Sequence, residues 1–289
     1  MKKKKNNSTT VMLVLIFLAG LSLMLYPTVS NFVNSRSQAE VIATYRQELG
    51  DLDAESHARM FSQAVGYNKA LLERENAFAL TPELQQQYEA LLNVSSGVMG
   101  YVEIPCIDCT LPVYHGTEEE VLQRAAGHVD WSSLPVGGES SHCVISGHRG
   151  LPTAELMTHI DRLRAGDRFF LHVLGNTLEY HVDQIKVVLP EDTTYLRIEE
   201  GEDLVTLVTC TPYGINSHRL LVRGTRVLDG KMPVGTVSLN DEVEAVSLVY
   251  VLPVALLLLV LVTSCVLGMG QLIGKKRKKE EVAHEEKTV

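Results

Sequence analysis

The sequence predicts a mainly β domain that follows a helical arm and lies between two membrane-spanning segments. Two long uncharged apolar runs stand near the two ends of the chain. Residues 36–92 show apolar side chains at helical spacing, whereas the residues after Ser95 change to short apolar runs separated by turn residues. Seven such runs with few helical segments between them are typical of a β-barrel or a β-sandwich.

The first apolar run, VMLVLIFLAGLSLMLY, extends from Val11 to Tyr26. Its length is close to the lower limit for a membrane-spanning helix, and continuation to residue 33 supplies the length that a bilayer requires. Four lysines, Lys2–Lys5, precede it, which by the positive-inside rule predicts a cytoplasmic N-terminus. The alternative is a cleaved signal peptide, for which residues 37–39 (Ser-Gln-Ala) form a weak cleavage site.

The second apolar run lies over residues 247–274 and is followed directly by the basic sequence KKRKK at 275–279. This pattern predicts a second anchor with a cytoplasmic C-terminus. Two buried core helices are the alternative, which the long uncharged length beside a basic pentad disfavours. The predicted organisation is a cytoplasmic basic tail (1–10), a transmembrane signal-anchor (11–33), an extracytoplasmic helical arm (34–95), a β domain (96–230), a linker (231–246), a transmembrane helix (247–273) and a second cytoplasmic basic tail (274–289).

Charge is divided unequally between these segments. The whole chain has a net charge of −9, but the two tails are basic and residues 27–246 hold 16 basic and 31 acidic side chains, a net of −15. Duplex binding depends on cationic contacts to phosphate, so the acidic outer domain excludes a nucleic-acid-binding protein.

The arm is predicted to be helical over two stretches and to end in a third helix at residues 81–93. Thr81 is a good N-cap residue, Pro82 suits the first helical position, and Glu83 lies in the first turn. Two further short helices are predicted at 118–127 and 152–163.

The predicted strands are short and alternate with turn residues. They cover residues 98–104, 111–116, 142–148, 167–175, 177–189, 203–210 and 218–228. Gly175 and Asn176 stand between two of these runs and predict a tight hairpin.

Four of the five cysteines fall in the predicted outer domain, and Cys265 falls in the second apolar run. Cys106 and Cys109 form a CxxC pair, but residues three apart on a strand point to opposite faces, which disfavours a disulfide unless a loop holds them. A zinc site would need a second ligand pair, and none is evident. Free structural thiols are therefore the first interpretation.

Cys210 differs from the other cysteines because it ends an apolar β run and begins a turn. Arg219 opens the next run, and His148 also stands at a strand end before a glycine-containing turn. A thiol, an imidazole and a cation are the minimum for thiol acyl transfer, since they supply the nucleophile, the proton carrier and the oxyanion contact. On spacing alone, a buried structural Cys210 is the alternative. Arg223, on the same strand face as Arg219, is a candidate second anion contact.

The sequence TLVTCTPYGINSHRLLVRGTR at 206–226 resembles the TLxTC…R signature of the sortases, which are membrane-anchored transpeptidases of Gram-positive bacteria. It is most similar to class C, the pilin-polymerising branch. SGHRGLP around His148, MGYVEIP at 99–105, SLPVGGESSH at 133–142 and residues 166–193 also resemble class C sequences. The similarity covers about residues 40–230, and a C-terminal anchor is typical of this class.

The resemblance implies a closed eight-stranded sortase β-barrel preceded by helices. It implies that Cys210 is the nucleophile, His148 the general acid and then base, and Arg219 the contact for substrate or oxyanion. Thr209 is implied in the substrate pocket. The implied reaction cleaves an LPxTG-like sorting motif between Thr and Gly through a thioacyl enzyme and joins the acyl group to a pilin lysine amine, with no cofactor and no metal.

The resemblance does not extend to the lid of many class C enzymes. Their lid carries an Asp-Pro-aromatic motif, whereas this sequence has no Asp-Pro dipeptide and offers Phe78 and Thr81-Pro82 in the corresponding stretch. Phe78 is expected either to pack within a helix or to serve an altered lid. Two alternative functions stay open: a sortase that anchors surface proteins to a lipid-linked peptidoglycan amine, and an inactive adhesin or sensor that retains the barrel.

Overall fold

A computed structural model describes residues 7–74, 76–94 and 96–227 of the chain, with side chains from Val11 onward. The predicted linker, second membrane segment and C-terminal tail lie outside the described residues, as does most of the N-terminal tail. Within the described residues, a helical arm precedes a closed barrel of eight strands.

The helices are α1 (Asn7–Gly50), α2 (Ala54–Leu72), α3 (Pro82–Ala90) and the short α4 (Glu119–Leu122). The strands are β1 (Val98–Ile104), β2 (Cys109–His115), β3 (Ala126–His128), β4 (Ser141–Ser146), β5 (Arg168–Val173), β6 (Asn176–Val188), β7 (Asp203–Thr211) and β8 (His218–Arg226). Single turns of 3₁₀ helix lie at Pro105–Ile107, Ile160–Arg162 and Thr194–Leu196.

The first apolar run and the start of the arm form one continuous helix, α1, which contains Pro27. Proline lacks the N–H of one helical hydrogen bond and is tolerated here without ending the helix. Among the described residues, α1 is the one helix long and apolar enough to cross a membrane, and its most apolar stretch is not buried against the domain. This exposure fits a membrane anchor better than a core helix.

Side chains cap the next two helices of the arm. The Asp53 carboxylate accepts a hydrogen bond from the Ser56 N–H (2.7 Å), and the Thr81 hydroxyl accepts one from the Leu84 N–H (3.3 Å). Each cap satisfies an N–H group that has no partner inside the helix. The predicted N-cap at Thr81 is confirmed.

The strands close in the order β1-β2-β3-β4-β7-β8-β6-β5, and β5 pairs with β1. The β2–β3 and β4–β7 pairs are parallel, and the other pairs are antiparallel. Of the two β architectures that the strand pattern predicted, the chain therefore adopts the barrel. Closure removes the free sheet edges that would otherwise expose unpaired backbone groups.

Two local predictions were wrong. The helix predicted at 118–127 is confined to Glu119–Leu122, because Ala126–His128 is instead a strand inserted between β2 and β4. A run of three residues is too short to show the alternation of apolar and polar side chains that identifies a strand in a sequence. The helix predicted at 152–163 is mostly irregular and includes only the 3₁₀ turn at Ile160–Arg162. The predicted hairpin is present, but its turn lies one residue earlier than predicted: Leu174 and Gly175 both have positive φ, and Asn176 already pairs with Val173 as the first residue of β6.

The apolar core has two parts. The barrel interior contains the parallel rings of Phe169 and Tyr180, whose centroids are 5.6 Å apart. A second cluster lies between the arm and the outside of the barrel, where Tyr45 and Tyr88 are almost fully buried. The Tyr45 hydroxyl donates to the carbonyl of Met99 and accepts from the N–H of Leu174, both at 3.0 Å. The arm is thus attached to the barrel by both apolar packing and hydrogen bonds.

The buried imidazole of His128 joins the arm to the barrel in its neutral form. Its Nε2–H donates to the carbonyl of Ser133 (2.8 Å), and the Tyr88 hydroxyl lies 3.2 Å from Nδ1. Burial lowers the pKa of His128 to about 4. An unfolded histidine has a pKa near 6.5, so between these values the unfolded chain binds more protons than the folded one.

We therefore expect the free energy of unfolding to fall as the pH drops from about 6.5 to about 4, by up to roughly 3 kcal/mol from this group. Urea unfolding in detergent micelles, followed by the fluorescence of Trp131, measures this, because Trp131 is the single tryptophan of the chain. The variant His128→Gln should be less stable at pH 7 and should lose less stability on acidification. A wild-type stability that is flat from pH 7 to pH 4.5 would contradict the assignment.

Candidate active site

Cys210 and Arg219 face each other across the β7–β8 pair. Their Cα positions are directly opposed in the antiparallel register. Leu207 on β7 and Leu220 on β8 point into the barrel core, so by strand alternation Cys210 and Arg219 both lie on the outer face. Cys210 is half-buried. The predicted juxtaposition of a thiol and a cation is therefore present in the strand register.

The turn before β8 holds the Arg219 guanidinium. Its Nη1 donates to the carbonyls of Asn216 (3.3 Å) and His218 (3.2 Å). Within the described part of the chain, no carboxylate forms an ion pair with Arg219. A guanidinium has five N–H donors, so the side chain retains donors for a carbonyl oxygen or an oxyanion.

His148 reaches the same place from the neighbouring strand. β4 and β7 are parallel with Ser146 opposite Val208, and the Gly147 N–H donates to the Val208 carbonyl at 3.0 Å. His148 follows the end of β4 by two residues, and the same register continued that far would place its backbone level with Cys210. The thiol and guanidinium predicted from sequence are paired across β7 and β8, and the imidazole belongs to the loop after the adjacent strand.

The Thr209 side chain points into the barrel, on the strand face opposite to that of Cys210. The side chain is almost fully buried, and its hydroxyl donates to the carbonyl of Gly147 at 2.8 Å. This bond fixes the residue immediately before His148. The Thr209 side chain therefore positions the histidine loop, and only its backbone remains available to a substrate.

Glu119 is a site residue that the sequence reasoning missed. Its Oε2 lies 3.3 Å from Nε2 of His148. Hydrogen bonds from Gln123 and from His148 lower the pKa of the Glu119 carboxyl, so it is ionised at neutral pH. A carboxylate hydrogen-bonded to an imidazole nitrogen restricts the orientation of the ring. The sequence signal was only an acidic run at 118–120, which is ordinary on a surface.

Arg149 joins the histidine loop to the β7–β8 turn. Its Nη2 lies 2.6 Å from Asp161 Oδ2, and its guanidinium carbon lies 5.9 Å from the centroid of the Tyr213 ring. Gly150 has a φ of +78°, and a Cβ there would meet the same Tyr213 ring at about 3.0 Å. The two loops that carry His148 and flank Cys210 are therefore packed against each other.

Arg223 clamps the β6–β7 connection and is not a free anion contact. It binds Asp183 on β6 (2.5 Å) and Glu199 in the connection (2.6 Å). His142 adds a second link, because its ring nitrogens lie 2.7 Å from the carbonyl of Arg197 and 2.7 Å from the Thr206 hydroxyl. Burial lowers the pKa of His142, so the ring is neutral at pH 7. Both side chains fix the β6–β7 connection against the barrel.

The other described cysteines are free and differ from Cys210 in their surroundings. Burial raises the pKa of the Cys109 thiol to about 12 and that of the Cys143 thiol well above its usual value. Cys106 is exposed, and partial desolvation together with Asp167 raises its pKa as well. The interpretation of these residues as structural thiols agrees with the structure, in which the CxxC pair forms no disulfide.

Phe78 lies in the connection between α2 and α3 and does not pack within a helix. Its ring meets Trp131 edge to face, with centroids 5.0 Å apart, and the guanidinium of Arg197 lies 5.2 Å from its centroid. These partners belong to the β3–β4 and β6–β7 connections. Phe78 therefore links the arm to the β3–β4 and β6–β7 connections.

Comparisons with known proteins agree with this geometry. Residues 102–227 match the sortase domain family. Sortase C1 from Streptococcus agalactiae is 43% identical, with a TM-score of 0.64, over 66% of this chain and 100% of that one. Sortase C from Streptococcus pneumoniae is 45% identical (65% and 96%, TM-score 0.58), and sortase C from Clostridium perfringens is 40% identical (65% and 98%, TM-score 0.58).

The matched region contains the barrel except for the first four residues of β1, and it includes Cys210, Arg219 and His148. The identity to three solved sortase C structures is 40–45% and almost the whole of each is covered. The chain therefore belongs to the sortase family of cysteine transpeptidases.

Proposed function

We propose that the chain is a class C sortase that cleaves an LPxTG-like sorting motif between Thr and Gly and joins the acyl group to a pilin lysine. The observation that carries this proposal is the 40–45% identity to sortase C structures, combined with a thiol and a guanidinium in register on one strand pair. One of those structures was solved with a C-terminal cell wall sorting motif, and another is described in terms of pilin substrate specificity.

The proposed reaction assigns one role to each site residue. The Cys210 sulfur attacks the carbonyl carbon of the motif threonine, and Arg219 donates hydrogen bonds to the oxygen on which negative charge develops. His148 gives a proton to the departing glycine amine, which leaves a thioester on Cys210. The lysine amine then attacks the thioester, His148 accepts its proton, and the thiolate departs as an isopeptide bond forms.

Glu119 and Thr209 act in this scheme as positioning residues. Glu119 restrains the imidazole through Nε2, and Thr209 holds the backbone of Gly147 just before it. Both contacts limit the rotation of His148, which must serve the leaving amine and then the incoming one from the same place.

We further propose that α1 crosses the cytoplasmic membrane with the N-terminus inside, so that the barrel is extracytoplasmic. The support is the apolar, unburied stretch of α1 and the lysines that precede it. The second span predicted at 247–273 would make the chain a two-pass protein, with both basic tails in the cytoplasm.

A pilin-joining enzyme is distinguished from the peptidoglycan-anchoring alternative by its acceptor. The full chain in lipid nanodiscs should convert a pilin subunit that carries a sorting motif into a ladder that survives boiling in SDS. The ladder should be lost when the acceptor lysine of the pilin is changed to arginine, which keeps the charge but removes the nucleophilic amine at neutral pH. Transfer to a peptidoglycan-like amine without any ladder would overturn the pilin assignment and leave the sortase chemistry standing.

A further inference from the structure

The anchor helix approaches the barrel from its catalytic end. Asn31 of α1 accepts a hydrogen bond from the Glu155 N–H (2.9 Å), and Asn34 donates one to the Thr153 carbonyl (2.7 Å). Thr153 and Glu155 lie in the loop that begins at His148. Further along α1, Tyr45 binds the backbone at the opposite end of the barrel, in the β5–β6 hairpin. The apolar start of α1 therefore projects beyond the catalytic end.

The distance from this end to the proposed membrane is short. Tyr26, the last residue of the apolar run, precedes Asn31 by five positions, which is about 8 Å along a helix. Val29 and Val33 are also more than half exposed, so the apolar surface of α1 continues to the level of these contacts. The interfacial layer of a bilayer is about 6–8 Å thick on each side. The catalytic end of the barrel thus reaches the headgroups.

Large apolar side chains are exposed at this same end of the barrel. Beyond α1, the described residues include seven such side chains, and five of them belong to the last part of β6, the residue after it and the β7–β8 turn. We call these five the apolar rim: Ile185, Val187, Leu189, Tyr213 and Ile215. The register places this part of β6 at the level of the site, because Val188 pairs with Arg219, and Arg219 pairs with Cys210. Ile185 and Val187 lie on the strand face of their partners Val222 and Leu220, opposite to the face of Arg219. Exposed apolar groups concentrated at one end of a domain are typical of interaction surfaces.

Exposed cations are present at the same end of the barrel, where the acidic residues Glu155 and Glu191 are exposed as well. Arg162 and Arg164 lie in the loop that leads into β5 at the catalytic end, and both are exposed. Asp161 in this loop is paired with Arg149, and the Asp167 carboxylate accepts the Arg164 backbone N–H. Basic side chains next to apolar ones are the combination that binds the surface of an anionic membrane.

We propose that the apolar rim rests on the bilayer that contains α1, with Arg162 and Arg164 among the lipid headgroups. The proposal rests on the anchoring by α1 proposed above. It holds the mouth of the active site at the membrane surface, where a donor or acceptor that is itself retained by the membrane can enter. The bilayer is favoured over a polypeptide as occupant because the rim and the anchor emerge at the same end of the domain.

The test places a tryptophan at the rim of the full chain. In a Trp131→Phe background, Ile215→Trp reports on lipid contact in nanodiscs of phosphatidylcholine and phosphatidylglycerol whose acyl chains carry bromine near the headgroup. Interfacial contact buries a side chain some 5–10 Å deep, so we expect the bromine to quench the fluorescence by about half. Val187→Trp provides an independent rim position on a different element.

The matched control is Asn176→Trp in the same background, because Asn176 is exposed in the hairpin at the opposite end of the barrel. Its fluorescence should not depend on bromine. Disc-bound protein in which neither rim position is quenched would overturn the proposal. If the fluorescence of a rim tryptophan does not depend on bromine but changes when a sorting peptide is added, the proposal is also overturned. The rim would then be assigned to substrate binding.

The outcome is independent of the ladder assay. Protein that separates from the discs would overturn the anchoring and the membrane contact together. Quenching at the rim without any pilin ladder would support the membrane contact and count only against the pilin assignment.

Discussion

The variant Cys210→Ala should lose the ability to cleave a sorting peptide, with kcat/KM reduced by at least about 10⁴-fold, and should form no thioester. The loss is large because no other described thiol can replace Cys210. Cys109 and Cys143 are buried with raised pKa values, and Cys106 belongs to the turn between β1 and β2 rather than to the β7–β8 pair. Peptide cleavage followed by chromatography, together with the intact mass of the acyl enzyme, measures both losses.

A second thiol variant provides the matched control. Cys106→Ser removes an exposed sulfur without changing the strand pair that carries the site, so its kcat/KM should stay within a few-fold of the original. Cleavage that survives in Cys210→Ala would overturn the assignment of the nucleophile. A wild-type chain that binds the peptide without cleaving it would support the alternative of an inactive barrel.

The chemistry of the site was readable from sequence because each group stands at the end of a strand. Cys210 and Arg219 are separated by a short turn, and an antiparallel pair joined by such a turn places them opposite each other. His148 could not be placed by such reasoning, since the β4–β7 pair is parallel and joins segments about 60 residues apart. Its assignment to the site follows from the family resemblance and stays a prediction.

Other parts of the site depend on contacts that no local pattern encodes. Glu119 reaches His148 only because β3 occupies the place of a predicted helix and leaves α4 a single turn long. Arg223 shares the strand face of Arg219, as predicted, yet a bulge in β6 and the β6–β7 connection surround it with carboxylates. Equivalent positions on a strand can therefore serve substrate binding in one case and loop anchoring in the other.

In the arm, too, contacts between residues close in the sequence could be predicted, whereas contacts between distant residues could not. The capping residue Thr81 was identified from sequence because a cap is a local hydrogen bond. The partners of Phe78 were not, since Trp131 and Arg197 come from two distant connections. The chain lacks the Asp-Pro-aromatic sequence of the class C lid, and its own aromatic residue in this stretch, Phe78, packs against Trp131 and Arg197.

Replacement of Arg219 should have the second-largest effect on activity. Arg219→Gln removes the positive charge beside the reacting carbonyl, and loss of one donor from an oxyanion site typically lowers kcat by about 10²–10³-fold. Arg219→Lys keeps the charge but replaces the planar guanidinium, with its five N–H donors, by a compact ammonium. It should therefore restore only part of the kcat that Arg219→Gln loses. Single-turnover acylation with a sorting peptide separates this effect from product release.

Arg223→Lys is the control for Arg219 because it lies on the same face of β8, four residues further on. Its carboxylate partners hold the β6–β7 connection, so the variant should weaken that connection, raise KM and leave the rate of acylation within a few-fold. Equal losses of acylation rate in the two variants would mean that Arg219, like Arg223, acts by supporting the surrounding structure and not by contacting the reacting carbonyl. The strand register favours direct action, because Arg219, and not Arg223, is paired with Cys210.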